Sequence, residues 1–310
     1  MAYDHFTSDM WLPSGFRAAS IGVRIYGGTH SCQHYRVYCS QSANTRRLGL
    51  TTDNIKKSSK GSSRVGRGDV VVCNYTSFLE VLYLAKRFSP VFVLAKEGKS
   101  DDISLVHVCG LLEALYRSLA MPVSAERVKP TRKLAEVVRR ASGPIVVLAE
   151  GVCSNGKAVL RFIPVLQHLS VKTRVHLVAF RYEYKSFSPS HTVGSAWSHL
   201  FWTAFHLYHT MRVTVLNAND LSMEDLTSAR LLNSKSSKKQ DNSKMLSTVQ
   251  VEKLRSLLAA MLRTKTVDLG PEDFVSFNNY WKHVNGGGRQ PASHFTDRKA
   301  PHEHAQWAKR

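Results

Sequence analysis

The sequence predicts an α/β domain with a central, mostly parallel sheet flanked by helices. Short, nearly uninterrupted apolar runs such as Val70–Cys73 are typical of strands buried on both faces. Stretches with helical spacing separate these runs, which is the alternation that βαβ units produce. Hydrophobic residues make up 43% of the 310 residues, which is enough for a sizeable core and excludes wholesale disorder.

Strands and helices are predicted in alternation from residue 69 onward. The strands are expected at residues 70–73, 91–94, 144–148, 175–180 and 213–216. The helices are expected at residues 77–88, 103–119, 134–140, 195–211, 249–262 and 271–281. The second helix is predicted from an apolar stripe with helical spacing, formed by Leu105, Val108, Leu112, Leu115 and Leu119.

Composition divides the chain into three parts. Residues 1–67 are expected to be a weakly structured basic segment that includes the basic stretch 56–64. Residues 68–284 carry the strands and helices, interrupted by a flexible low-complexity loop at 233–246. Residues 285–310 are expected to be a disordered tail. No apolar run is long enough to predict a membrane-spanning helix, and no secretory leader is predicted.

The charge of the chain is strongly positive. Forty-three Lys and Arg residues stand against 23 Asp and Glu residues, which gives a net charge of +20. Such a surface favours phosphate-bearing partners, which include nucleic acids, acidic lipid headgroups and CoA-like cofactors. Five scattered cysteines lack the spacing of a zinc framework, so no metal site is predicted and buried thiols in a reducing compartment are expected.

The predicted helix at 195–211 is unusually aromatic. Its apolar positions Trp197, Leu200, Phe201, Phe205 and Tyr208 follow helical spacing. One interpretation is a helix packed on the sheet, and the other is an interfacial helix whose aromatic rings contact lipid headgroups. The interfacial hypothesis places this helix and the basic stretch 56–64 together on an anionic membrane. The histidines at 199, 206 and 209 are expected to be solvated or interfacial.

Polar residues follow two of the predicted strands. Asn74, Thr76, Ser77 and Glu80 come after the first strand, and residues 150–157 come after the third. Because ligands gather at the carboxyl ends of strands in open α/β sheets, both junctions are expected to face one cleft. Each junction also has a purely structural interpretation, as a helix cap or as a tight turn.

Together the two junctions resemble motifs of the PlsC-like glycerolipid acyltransferases. Residues 74–80, Asn-Tyr-Thr-Ser-Phe-Leu-Glu, resemble the first family motif, Asn-His-x-Ser-x-x-Asp. Residues 149–154, Ala-Glu-Gly-Val-Cys-Ser, resemble the third motif, Pro-Glu-Gly-Thr-Arg-Ser. Residues 175–182 resemble the fourth motif, and residues 149–162 are closer still to the fungal lysophosphatidic acid:oleoyl-CoA acyltransferases. The resemblance covers residues 68–283.

The resemblance implies a glycerol-3-phosphate acyltransferase-like fold and transfer of an acyl group from acyl-CoA to a lysophospholipid such as lysophosphatidic acid. Acyl-CoA is then a co-substrate, and no bound cofactor is implied. The implied catalytic positions are Asn74, Tyr75, Ser77 and Glu80. The implied substrate-binding positions are Glu150, Gly151, Ser154, Asn155, Gly156, Lys157 and Arg161. The family resemblance also implies the cytosolic face of the endoplasmic reticulum or of a lipid droplet.

Two family positions are replaced in this chain. The family has a catalytic His at the position of Tyr75 and a phosphate-binding Arg at that of Cys153. A phenol with an ordinary pKa near 10 is a poor base at neutral pH. His107 and His176 are therefore considered as other bases, although buried structural histidines are the more common outcome. A non-catalytic lipid- or CoA-binding adaptor with the same fold is the alternative function. A nucleic-acid binder is supported by net charge alone, so no nucleic acid partner is expected.

Overall fold

The α/β fold class is confirmed by a computed structural model. The structure describes residues 35–40, 65–95, 105–119, 132–184, 187–206, 209–218, 221 and 245–289. The basic stretch 56–64, residues 233–244 of the predicted loop and residues 290–310 of the predicted tail lie outside the described residues. The predicted division of the chain into three parts stays a prediction.

An eight-stranded mixed sheet forms the centre of the molecule, with spatial order β1-β9-β8-β2-β6-β3-β4-β5. Its strands are β1 (Tyr35–Ser40), β2 (Val70–Cys73), β3 (Val91–Ala95), β4 (Leu105–Cys109), β5 (Arg132–Lys133), β6 (Ile145–Leu148), β8 (Val175–Glu183) and β9 (His209–Leu216). The four central strands β8, β2, β6 and β3 are parallel. Each residue of β2 is fully buried, as its unbroken apolar sequence predicts.

Helices cover both faces of this sheet. They are α1 (Phe78–Phe88), α2 (Leu111–Leu119), α3 (Leu134–Arg140), α4 (Ala196–Phe205), α5 (Thr248–Leu262) and α6 (Pro271–Asn285), with a 3-10 helix at Pro164–His168. Residues of α1 and α2 belong to the core on one face of the sheet. Residues of α3, the 3-10 helix and α5 belong to the core on the other face. A small parallel pair, β7 (Ala158–Val159) with β10 (Lys265–Thr266), lies apart from the main sheet.

The predicted helix at 103–119 is wrong in its first half. Residues 105–109 form β4, which pairs antiparallel with β3, and the helix begins only at Leu111. The leucine spacing suits a helix, but Val106 and Val108 are β-branched and Gly110 interrupts the helical run. Pairing with β3 buries Val106 completely, so tertiary context decides the strand.

Two further differences affect the edge of the sheet. Strand β1 lies within the segment predicted to be weakly structured and pairs parallel with β9. The aromatic helix ends at Phe205 rather than at residue 211, and His209 begins β9, where it is buried rather than solvated. Within the described ranges, no helix is long and apolar enough to cross a bilayer.

Candidate functional site

The carboxyl ends of β2, β6 and β8 meet at one edge of the sheet, and the two polar junctions lie there. Asn74, directly after β2, joins this strand to β8 through two hydrogen bonds. Its side-chain amide donates to the carbonyl of Phe180 at 2.9 Å, and its Oδ1 accepts from the Phe180 amide at 2.8 Å. Asn74 therefore fixes the spacing of the two strands beside the site.

The structure brings Glu80 and Glu150 together around the backbone of Tyr75 and Thr76. The Tyr75 amide donates to Glu150 Oε1 at 3.2 Å, and the Thr76 amide donates to Glu80 Oε2 at 2.9 Å. The Thr76 hydroxyl also donates to Glu80 Oε1. Ser77 is the N-cap of α1 and accepts from the Leu79 amide at 3.3 Å, so its structural interpretation as a cap is confirmed.

Both glutamates are completely buried, and burial dominates their electrostatics. Loss of hydration raises the pKa of Glu80 to about 8, against the lowering effect of the hydrogen bonds from Thr76. Burial likewise raises the pKa of Glu150 to about 8, although the amides of Tyr75 and Leu160 donate to it. Near neutral pH, these carboxyls are therefore mostly protonated rather than fixed anions.

The residues at the two replaced positions are buried in the core. Tyr75 is 2% exposed, and its hydroxyl lies beside the side chains of Cys153 and Ser118. Burial raises the pKa of Tyr75 well above its ordinary value. Burial also raises the pKa of the neighbouring Cys153 thiol well above its ordinary value. Cys153 is a free thiol, and its Sγ lies 3.5 Å from the carbonyl of Ser118. Neither residue presents a base or a cation to solvent.

The second junction is a tight turn whose glycine is required. Gly151 has φ +72°, and a Cβ at this position would stand 2.4 Å from Cδ1 of Ile163. The amide of Ser154 donates to the Tyr75 carbonyl at 2.8 Å, which ties this turn to the first junction. The tight-turn interpretation is therefore confirmed, and the same turn brings the two motifs into contact.

A cavity of about 200 Å³ opens beside these motifs. Three cationic side chains line it, those of Lys157, Arg181 and Arg263. Hydroxyl groups and small residues form much of the remaining wall: Thr76, Asn155, Gly156, Tyr182, Ser188, Ser190 and Thr264. The hydroxyl of Thr264 is buried without a hydrogen-bond partner in the described part of the chain. A ligand with anionic oxygens would satisfy both the cations and this hydroxyl.

Three of the residues considered earlier lie elsewhere. Arg161 does not line the cavity; its guanidinium lies 4.0 Å from Asp268 and 3.8 Å from Glu272. His176 is completely buried; its Nε2 lies 3.2 Å from Asp69 Oδ2, and its Nδ1 accepts from the Ala218 amide. Both of its ring nitrogens are engaged in the structure, so His176 is unsuited to act as a base.

His107 is also held by a structural contact. Its Nε2 lies 2.7 Å from Glu113 Oε1, and Glu113 accepts from Arg117 as well. Among the described residues, no cluster of three or more His, Cys, Asp or Glu side chains could hold a metal ion.

Of the residues that line the cavity, the predicted site includes only Asn155, Gly156 and Lys157. Two pairs among the residues that it leaves out show why. Arg181 and Tyr182 lie in β8, within residues 175–182 that resemble the fourth motif, and this resemblance was the available signal. Arg263 and Thr264 come from the end of α5, where Arg263 adopts the left-handed conformation that ends the helix. They are far from both motifs in sequence, so no spacing rule predicts their arrival at this cavity.

Comparison with known proteins gives a distant relationship. No family model matches the chain, and no solved structure matches it. The chain is similar to a protein of Schizosaccharomyces pombe named "Putative lysophosphatidic acid:oleoyl-CoA acyltransferase". The two are 28% identical over 135 residues, which are 41% of this chain and 43% of the yeast protein. The chain thus spans less than half the length of the curated relative that it matches.

Proposed function

We propose that this protein transfers an acyl group from acyl-CoA to the hydroxyl of a lysophospholipid such as lysophosphatidic acid. The observation that carries the proposal is the joining of the two motif junctions beside a cavity lined by cations. The name of the yeast relative supports the same reaction class. The protein would act in glycerolipid synthesis or remodelling, at the cytosolic surface of the endoplasmic reticulum or of a lipid droplet.

In the proposed reaction, the acceptor hydroxyl oxygen attacks the thioester carbonyl. The new ester bond forms and the carbon–sulfur bond breaks. The proton that the acceptor hydroxyl loses is passed to the CoA sulfur, which leaves as the thiol. We assign the role of proton acceptor to Glu80, and we propose that the Thr76 hydroxyl relays the proton between Glu80 and the cavity. Thr76 lines the cavity and donates to Glu80, and the raised pKa of Glu80 makes its carboxylate a stronger base than an exposed one.

The cavity cations would bind the phosphate of the acceptor. Lys157, Arg181 and Arg263 supply positive charge, and this compensates for the family arginine that Cys153 replaces. The amide of Lys157 is held by Asn155 Oδ1 at 3.0 Å, which orders the turn that presents its side chain. The headgroup site is therefore proposed to lie at these three cavity residues rather than at position 153.

A non-catalytic protein that binds lipid or CoA is the second candidate. The burial of Tyr75 favours it, because no side chain at that position reaches the cavity as a base. This candidate uses the same cations to bind phosphate and needs no proton transfer.

Acyl transfer from labelled oleoyl-CoA to a panel of lysophospholipids separates the two candidates. We expect the purified chain to acylate lysophosphatidic acid. Arg263→Gln should raise the KM for this acceptor by about 10-fold or more, because a charge-assisted hydrogen bond is worth about 1.5–3 kcal/mol. Arg140→Gln is the matched control, since Arg140 is exposed on α3 and pairs with Glu136 outside the cavity.

The outcomes are distinct. Transfer that requires Arg263 supports the enzyme. Binding of lysophosphatidic acid without transfer to any acceptor supports the second candidate. Equal KM values for wild type and Arg263→Gln would remove the assigned headgroup site.

A further inference from the structure

Helix α4 presents an apolar surface to water. Trp197, Phe201, Trp202 and Phe205 are 79%, 61%, 46% and 67% exposed, and Thr203 is the one residue of this helix that is buried. Ring centroids of Phe201, Trp202 and Phe205 lie 5.7–6.0 Å apart, so these side chains form one contiguous cluster. Of the two interpretations of this helix, the one that packs its aromatic face on the sheet is therefore wrong for these residues.

The helix is held firmly from its other side. Phe187 stacks against the rings of both His199 and His206, with centroids 5.2 and 5.0 Å away. His199 Nε2 lies 3.1 Å from the Pro189 carbonyl, and His209 Nε2 lies 2.9 Å from the Thr203 carbonyl. These contacts fix the orientation of α4 and keep the aromatic cluster pointing outward.

A second partly exposed apolar strip lies close to the start of α4. Phe277 and Trp281 of α6 are in ring contact and both remain exposed. A shallow groove joins this strip to the loop before α4, since its walls are formed by Gly194 on one side and by Trp281 and Lys282 on the other. The same loop contributes Ser188 and Ser190 to the cavity described above, so the apolar surface adjoins the cavity.

The charge around this surface identifies its partner. Helix α4 contains no Asp, Glu, Lys or Arg, and the adjoining cavity and groove present Lys157, Arg181, Arg263 and Lys282. The acidic residues of α6 lie in its first turn, at the end away from Trp281. Exposed Trp and Phe rings next to cations fit the headgroup level of an anionic bilayer, where the rings enter the interface and the cations contact lipid phosphates.

We propose that the α4 aromatic cluster, with the Phe277–Trp281 strip, docks the protein on an anionic phospholipid bilayer and places the cavity mouth at that surface. The proposal deepens the proposed function, because the lysophospholipid acceptor would then enter the cavity directly from the bilayer. The docking itself requires no turnover, so it is measured separately from acyl transfer.

The experiment is co-flotation of the full chain with phosphatidylcholine vesicles that contain or lack phosphatidylserine. The test variant is the triple substitution Trp197→Ser, Phe201→Ser, Phe205→Ser. The matched control is Leu112→Ser with Tyr116→Ser, which removes exposed apolar side chains from α2. We expect the test variant to lose affinity for the vesicles with phosphatidylserine by about 100-fold or more, while the control binds like wild type.

Two further readouts distinguish failure of docking from failure of the proposed function. Circular dichroism and thermal unfolding show whether the test variant is folded, and Trp197→Phe, a milder change, should retain most of the binding. Acyl transfer to a short-chain, monomeric lysophosphatidic acid should persist in the test variant if the enzyme proposal holds. Docking would be overturned if wild type did not bind the vesicles. It would also be overturned if a folded test variant bound them like wild type. A dimer that the test variant disperses would identify a second copy as the occupant and overturn it as well.

Discussion

Replacing Glu80 with glutamine should make the protein more resistant to alkaline pH. In the folded chain, burial raises the pKa of Glu80 to about 8 from an ordinary value of 4.5. Below pH 4.5 the carboxyl is neutral in both the folded and the unfolded state. Between these two values the unfolded state releases the proton and the folded state keeps it. The free energy of unfolding therefore falls as the pH rises through this interval and is constant again above it.

The magnitude follows from proton linkage. A single group that binds one more proton in the folded than in the unfolded state changes the free energy of unfolding by at most about 1.4 kcal/mol per pH unit. Between pH 5.5 and 7.5, Glu80 should thus lower the free energy of unfolding of the wild type by up to about 3 kcal/mol. The total free energy of unfolding of a protein is about 5–15 kcal/mol. Glutamine resembles the neutral carboxylic acid: its oxygen can accept from the Thr76 amide and its NH2 can donate to the Thr76 hydroxyl.

Urea denaturation of wild type and Glu80→Gln at pH 5.5, 6.5 and 7.5 measures the effect. The stability difference between Glu80→Gln and wild type should grow by about 2–3 kcal/mol in favour of the variant across this range. Glu136→Gln is the control, because Glu136 is exposed on α3 and forms an ion pair with Arg140. A difference that stays constant with pH would show that Glu80 is ionised in the folded protein, and the assignment of a raised pKa would be wrong.

Two further substitutions test the site. Thr76→Val removes the hydroxyl that donates to Glu80 and should lower kcat by about 10²–10⁴-fold with little change in KM, whereas Thr76→Ser should retain most activity; equal rates would exclude the relay. Gly151→Ala should destabilise the fold by about 1–3 kcal/mol in thermal unfolding, because φ is positive and the new Cβ meets Cδ1 of Ile163. Ile163→Val should relieve part of that cost, and an unaffected Gly151→Ala protein would contradict the steric argument.

The central strands and the two junctions are predictable because their causes are local. Strand β2 consists of apolar residues alone, and Ser77 lies at the position where a helix cap accepts a backbone amide. Chain order then places both junctions at the same end of a parallel sheet, so the meeting of Glu80 and Glu150 follows from topology. The residue roles assigned to these positions remain predictions.

The formation of strand β4 and the arrival of α5 residues at the site depend on contacts that cannot be deduced from sequence spacing. The stretch 103–119 has apolar residues at helical spacing, but its residues 105–109 become strand β4 because β3 offers a pairing edge. Arg263 reaches the cavity because α5 ends beside it, more than 100 residues after the second junction. Arg255 of α5 is similarly remote in sequence, yet its buried guanidinium donates to the Leu160 carbonyl at 2.9 Å. Its positive charge also opposes the rise in the pKa of Glu150.

A buried pair of glutamates lowers the stability of the fold, and this loss bears on the choice between the two proposed functions. Burial of an ionisable carboxyl lowers stability near neutral pH, and here two such groups lie around one peptide segment. A protein that only binds phosphate needs no proton acceptor at Glu80, because its cations already line the cavity. An acyltransferase that lacks the family histidine gains a base whose pKa lies near the working pH. The raised pKa of Glu80 and its contact with the cavity-lining Thr76 therefore favour the catalytic proposal over the adaptor.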